Sequence, residues 1–244
     1  MLTFSAVTKR YADAEALRSV NLDVRPGEIF GLLGPNGAGK TTAAKLAVGL
    51  LRPTAGVVLL RGKDIHAGDS ELDHLVGYVP DEPMLYPKLT GGEMLEFVAA
   101  LRAISRERCR AVLDDFRGQF ALDSDLFDRF TLTYSRGTKR KLALLLGLLH
   151  DPALLVLDEP TESLDASAVR GLRQLLVAKR AQGTAILLST NDLASAELLC
   201  DRIGILSQGE LVFTGSGETV RERHAQQTRK LEALFYEKVT RSPS

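Results

Sequence analysis

Gly34-Pro35-Asn36-Gly37-Ala38-Gly39-Lys40-Thr41 decides how the rest of the chain is read. It fits G-x-x-x-x-G-K-[ST], and its setting gives the pattern weight. Ile29 to Leu33, directly before it, is a continuous apolar run of the kind a strand buried on both faces requires. Directly after it, Ala43, Leu46, Ala47 and Leu50 recur at helical spacing. Strand, glycine-rich turn and helix together make an anion cradle. The glycines let backbone N–H groups turn inward at a helix N-terminus, Lys40 reaches the β- and γ-phosphates, and the Thr41 hydroxyl can ligate Mg²⁺. The competing reading is a purely structural turn.

A second apolar run, Leu154-Leu155-Val156-Leu157, ends in Asp158-Glu159. Ligands of open α/β sheets sit at the carboxyl ends of strands, so both carboxylates are expected to face the phosphates. Asp158 is placed to orient Mg²⁺ or its water, and Glu159 to polarise an attacking water as general base. An acidic helix-start turn is the plain alternative.

Outward from these two segments the chain alternates. Leu17, Val20, Leu22 and Val24 predict half-buried strands ending at Arg25-Pro26-Gly27-Glu28, and so a small antiparallel sheet near the N-terminus. Pro53-Thr54-Ala55-Gly56 stops the first helix, Val57 to Leu60 is a strand, and Arg61-Gly62-Lys63-Asp64 is a turn. Thr90 and Glu93 have capping-box spacing before Met94, Leu95, Val98 and Leu101, and a more polar helix is expected over Arg106 to Phe120. Residues 85–150 therefore read as a mostly helical insert. From Ala153 strands and helices resume: Leu154 to Leu157, a helix carrying Val169, Leu172, Leu175 and Leu176, then Ala185 to Ser189 and Ile203 to Leu206. Such alternation implies a parallel sheet with crossovers. The expected fold is α/β: a P-loop NTPase core with a parallel sheet, an N-terminal antiparallel β subdomain and an inserted helical subdomain. The main domain is expected over 2–217. Residues 218–244, with Leu231, Leu234, Phe235 and Val239 on one face, are expected to form an amphipathic helical tail.

Composition narrows the classes. The chain has 244 residues, 45% apolar and 25% charged, which excludes disorder and low complexity. Thirty-one basic residues balance thirty-one acidic ones, so the overall field gives no reason to expect nucleic acid or an anionic membrane as the main partner. Arg136, Lys139, Arg140 and Lys141 form a local basic cluster, expected to face phosphate or solvent. Cys109 and Cys200 have no metal-like spacing and read as buried thiols of a reducing compartment. His66, His74, His150 and His224 show no ligand spacing and read as surface or capping residues. The start of the chain lacks a signal-peptide core, and the longest apolar run, Leu142 to Leu149, is far short of a membrane span. A soluble, cytoplasmic protein is expected.

The chain resembles the ATP-binding cassette (ABC) ATPases. The resemblance rests on Gly34 to Thr42, on Tyr134-Ser135-Arg136-Gly137-Thr138 before the helix from Lys139 to Leu149, on Leu154 to Thr161, and on Ser163-Leu164-Asp165. It covers residues 2 to 217; the first and third segments recur in other P-loop enzymes, whereas the second is particular to this family. It implies that two copies pair head to tail, each ATP held between one protomer's P-loop and the partner's counterparts of Ser135 and Gly137. ATP and Mg²⁺ are the implied cofactors. Tyr11 stands where family members place an aromatic that stacks on adenine. Asp165 falls in the loop used for contact across the dimer and is also a natural N-cap.

Two departures from the family pattern matter. Gly77-Tyr78-Val79-Pro80-Asp81-Glu82-Pro83 matches the lid loop, with Asp81 in place of the usual glutamine. An anion there is expected to ligate the metal and to sharpen the Mg²⁺ requirement. Ser189-Thr190-Asn191-Asp192 occupies the switch loop, with Asn191 in place of histidine; asparagine donates to the γ-phosphate but carries no proton or positive charge. Slower hydrolysis is expected. Arg136 also replaces a signature glycine.

The expected function is the Mg-dependent ATPase subunit of a transporter, acting on a separate membrane permease. Asp81 to Thr90 and the Tyr-Ser-Arg-Gly signature resemble the exporter branch that works with ABC-2-type permeases, with coupling through the helical insert and the loop after Asp81. The rivals are a catalytically weak regulatory partner in a heterodimer and a soluble cassette acting on nucleic acid or ribosomes.

Overall fold

The computed structural model describes residues 1–12 and 14–216. In chain order the strands and helices are β1 (Leu2–Tyr11), β2 (Ala14–Val24), β3 (Ile29–Leu33), α1 (Lys40–Ala47), β4 (Ala55–Leu60), β5 (Lys63–Asp64), α2 (Ser70–Asp73), β6 (Val76–Val79), α3 (Gly91–Leu101), α4 (Arg106–Phe120), α5 (Arg136–Leu148), β7 (Leu154–Asp158), α6 (Ala166–Ala181), β8 (Ala185–Thr190), α7 (Leu193–Leu199), β9 (Arg202–Ser207) and β10 (Glu210–Ser216). Two short 3₁₀ turns, Ser124–Asp128 and Thr131–Thr133, join α4 to α5.

The strands form two sheets. A six-stranded sheet runs β10-β9-β3-β8-β7-β6, and a four-stranded sheet runs β2-β1-β4-β5. The β6–β7, β7–β8, β8–β3 and β3–β9 pairings are parallel, while β10 returns antiparallel along β9. All pairings of the smaller sheet are antiparallel. The α/β architecture expected from the alternation is therefore present, with a helical segment inserted between β6 and β7.

Period-two alternation splits the apolar side chains of the large sheet between two cores. Ile29, Leu33, Leu155, Leu157, Ile186 and Leu188 bury against α3 to α7. Phe30, Leu32, Leu154, Val156, Ala185 and Leu187 bury against α1 and the antiparallel sheet. Because both faces are covered, β3, β7 and β8 read as unbroken apolar runs. The helix starts obey local chemistry. Thr90 and Glu93 form a reciprocal capping box, with Thr90 N donating to Glu93 Oε2 at 2.7 Å and Glu93 N to Thr90 Oγ1 at 3.1 Å. Asp165 caps α6 by accepting from Ala168 N at 2.8 Å, and that bond, helped by Lys141, holds its carboxyl below the usual range.

Several expectations need correction. The first helix ends at Ala47, Gly49 turns with φ of 77°, and Leu50 is 63% exposed, so Leu50 does not extend the buried face. Leu101, at the end of α3, is likewise exposed. Lys63–Asp64 is not loop but a two-residue strand, turned at Arg61 and Gly62, both with positive φ as tight primed hairpins require. The sequence reading did not assign β6, β10, α2 or α7. His150 is half-buried, its Nε2 3.0 Å from the Val76 carbonyl, and burial lowers its pKa; His66 is lowered in the same way. No disulfide joins the buried Cys109 and Cys200. The tail at 218–244 and His224 lie outside the described residues. Among the described residues no helix is long and apolar enough to cross a membrane.

Candidate functional site

The loop from Gly34 to Gly39 leaves the carboxyl end of β3 and enters α1. Gly39 is the N-cap of α1 at φ of 107°, and a Cβ there would stand 2.4 Å from the Ala16 carbonyl oxygen. That combination of left-handed backbone and close approach admits only glycine. The loop bounds a cleft of about 650 Å³ lined by Asn36, Gly37, Lys40, Thr41, Thr42, Asp81, Glu159 and Asn191 among others. Residues placed far apart in the chain thus meet because β3, β6, β7 and β8 all end on the same edge of the sheet.

Lys40 is 6% exposed. Its Nζ donates to the Gly34 carbonyl at 2.8 Å and the Pro35 carbonyl at 3.3 Å, and lies 3.3 Å from Glu159 Oε1. The second Glu159 oxygen accepts from Asn191 N at 3.2 Å, while Asn191 Nδ2 donates to Asn36 Oδ1 at 3.2 Å. P-loop cation, strand-end carboxylate and switch loop are joined by one ion pair and two hydrogen bonds. Glu159 itself has φ of 47°, a conformation costly for a residue with a Cβ and one that concentrates at functional sites.

Asp158 is fully buried. Ser189 Oγ donates to its Oδ1, but its Oδ2 is buried without a hydrogen-bond partner. An anionic oxygen in that condition is unfavourable unless something cationic joins it. Thr41 and Asp158 both line the neighbouring groove under the lid loop, and a hydroxyl and a carboxylate together suit a hard divalent cation such as Mg²⁺.

The remaining predicted residues fall as follows. Ser135 caps α5, its Oγ accepting from Thr138 N at 3.1 Å, and Gly137 packs so that a Cβ would stand 2.6 Å from the Ser163 carbonyl oxygen. Neither residue lines the P-loop cleft. Tyr11 ends β1, 44% exposed, with Lys9 Nζ 5.2 Å from its ring centroid; it too is outside the cleft lining.

Sequence reasoning missed three residues here. Arg140, grouped with phosphate- or solvent-facing bases, is instead buried at 4% exposure and hydrogen-bonded to the lid loop. Tyr78 has a buried hydroxyl without a hydrogen-bond partner, and burial, with the Asp158 and Asp81 charges, pushes its ionisation far up. The Glu162 carboxyl is pushed above the usual range, first by the Asp81 charge beside it. Arg140 lies in a basic run that advertises exposure, Tyr78 on an apolar strand, and Glu162 outside any motif quoted above.

A largely parallel sheet with a P-loop after β3, a buried lysine in that loop and paired carboxylates at the end of β7, two strands away, define the class of P-loop nucleotide-binding α/β proteins. A family model described as "ABC transporter" matches residues 17–162, and the chain belongs to the ABC transporter family as one of its ATP-binding domains. The chain is 40% identical over 205 residues to the "Uncharacterized ABC transporter ATP-binding protein all4389" of Nostoc sp. strain PCC 7120, covering 82% of this chain. It spans 60% of that relative's length. A solved structure described as the ATP binding subunit of an ABC transporter superposes with a TM-score of 0.88 at 30% identity, over 99% of this chain and 100% of that one. The dimeric post-hydrolysis state of the cassette MJ0796, bound to ADP and Pi, superposes with a TM-score of 0.80 at 26% identity, over 88% and 98% of the two chains.

Proposed function

We propose that this chain is the ATP-hydrolysing subunit of a membrane transporter, working as a head-to-tail pair against a separate permease. The observation that carries the reading is the convergence at one edge of the sheet of Lys40, its ion-pair partner Glu159 and, at the end of β7 directly before Glu159, the unpartnered Asp158 oxygen. The P-loop backbone from Gly34 through Thr42 holds the phosphates, and Lys40 neutralises the charge that develops on the transferred phosphoryl group. Glu159 accepts the proton of the attacking water, and Asn191 donates to the γ-phosphate. Mg²⁺ held by Thr41 and Asp158 would neutralise charge shared by the β- and γ-phosphates. Tyr11 stacks on adenine. The partner copy contributes Ser135 and Gly137, a reading supported by the dimeric relative above.

The cassette spans 2–217 and the tail 218–244. The chain acts in the cytoplasm, on the inner face of the membrane. Permease coupling falls to the lid loop and the helical insert, whose Met84, Tyr86 and Phe97 are exposed around an apolar groove of about 780 Å³. Resemblance of Asp81 to Thr90 to the exporter branch supports outward transport.

Calorimetry with Mg-ATP and ATPase assays, alone and with candidate membrane subunits, test this. Binding with permease-stimulated hydrolysis is expected; no binding heat with concentrated protein would overturn the reading. The Asn191 position supplies a finer test. Asn191→His should raise kcat about tenfold, the equivalent of about 1.4 kcal/mol of transition-state stabilisation. An unchanged or lower kcat means that the histidine's role is filled elsewhere or is unneeded. A regulatory subunit with almost no turnover, revived by histidine, would instead favour the heterodimer reading.

A further inference from the structure

Arg140 is a charge that the nucleotide reading does not use. It leaves α5 and is 4% exposed, so its guanidinium must find compensation within the protein. It donates to the Pro80 carbonyl at 2.7 Å, to the Asp158 carbonyl at 3.3 Å, and to Asp81 Oδ1 at 3.2 Å. The first and third contacts lie at the end of β6, where the lid loop begins; the second lies at the end of β7, on the residue that precedes Glu159. One side chain therefore ties helix, lid and catalytic strand together. Among the described residues Asp81 is the one carboxylate within ion-pair distance of Arg140; Glu162, beside Asp81, feels the same guanidinium charge, and both carboxylates line the P-loop cleft.

An unpaired carboxylate on that cleft would repel a triphosphate; one tethered to a guanidinium would not. We propose that Arg140 and Asp81 form a charge-balanced clamp in which Arg140, as a positioning residue, holds the lid carboxylate so that the cleft accepts a nucleoside triphosphate. This rests on the P-loop cleft being the nucleotide site. It adds to the expectation that Asp81 serves the metal a second role, since its Oδ1 is engaged by Arg140.

The experiment is a double-mutant cycle read by calorimetric binding of ATP in EDTA, so that neither metal nor turnover enters. Arg140→Gln removes the tether and a positive charge together, and ATP affinity should fall about tenfold. Adding Asp81→Asn to Arg140→Gln makes the pair neutral again and should bring affinity back to within about threefold of the unaltered chain. A merely structural arginine would give a loss that Asp81→Asn does not repair. Persistence of the loss in the double variant, or full affinity in Arg140→Gln, overturns the proposal.

If Arg140→Gln does not fold, Asp81→Asn alone decides: the unopposed guanidinium should tighten metal-free ATP binding about threefold or more. Unchanged affinity then overturns the clamp. The nucleotide site is judged separately, by whether the unaltered chain binds ATP and loses it on Lys40→Ala. Failure there removes the site; success there with a flat cycle removes only the clamp.

Discussion

Glu159→Gln will lower turnover of saturating Mg-ATP by about 10²- to 10⁴-fold, the range that a positioned general base contributes, while ATP binding persists. Glutamine matches glutamate in size and can still accept from Asn191 N, now 3.2 Å from Oε2, so the switch loop keeps its anchor. What disappears is the basic oxygen and a negative charge 3.3 Å from Lys40. With one anion fewer on the cleft, triphosphate affinity should hold or rise. Separate measurement of kcat and of ATP affinity checks both halves. Turnover within threefold of the unaltered chain would place the base elsewhere.

The second large effect is expected from Lys40→Ala. Hydrogen bonds from a charged donor contribute about 1.5–3 kcal/mol each, so losing two phosphate contacts costs about 10²- to 10⁴-fold in ATP affinity. The structure adds a further penalty. Lys40 is also the counter-ion of Glu159, and without it that carboxylate faces the triphosphate uncompensated. The substitution removes an amine whose partners in the protein are two loop carbonyls and Glu159, so the fold itself should survive. Calorimetric ATP titration alongside a thermal melt distinguishes lost binding from lost structure. A change in affinity below threefold would remove Lys40 from the phosphate site.

The same residues show what a linear chain discloses and what it hides. Gly34 to Thr41 is legible because every element of the cradle is local: strand, loop and helix follow one another directly. Thr90 and Glu93 announce the start of α3 for the same reason, since a capping box is closed within three residues. Arg106–Phe120 reads correctly because its polar face carries a helical period. Arg140 could not be read, because its partners on the lid loop, Pro80 and Asp81, lie 60 and 59 residues away. Leu50 and Leu101 mislead in the opposite sense: their spacing continues a helical stripe, but the elements end before another surface covers them. β6 has four residues and lies inside a segment whose motif directs reading toward the lid, which is why a short apolar strand there went unnoticed.

The helical insert shares one apolar cluster with α6, α7 and the inward side of β3, β7 and β8. Met94, Leu95, Phe116, Leu144 and Leu145 are thus not the interior of an appended module but half the wall against which the nucleotide-bearing strands rest. Trimming it away would leave a bare oily plane and favour clumping over a smaller working enzyme. Grafting a relative's version of the insert would likewise require carrying over the strand residues it leans on.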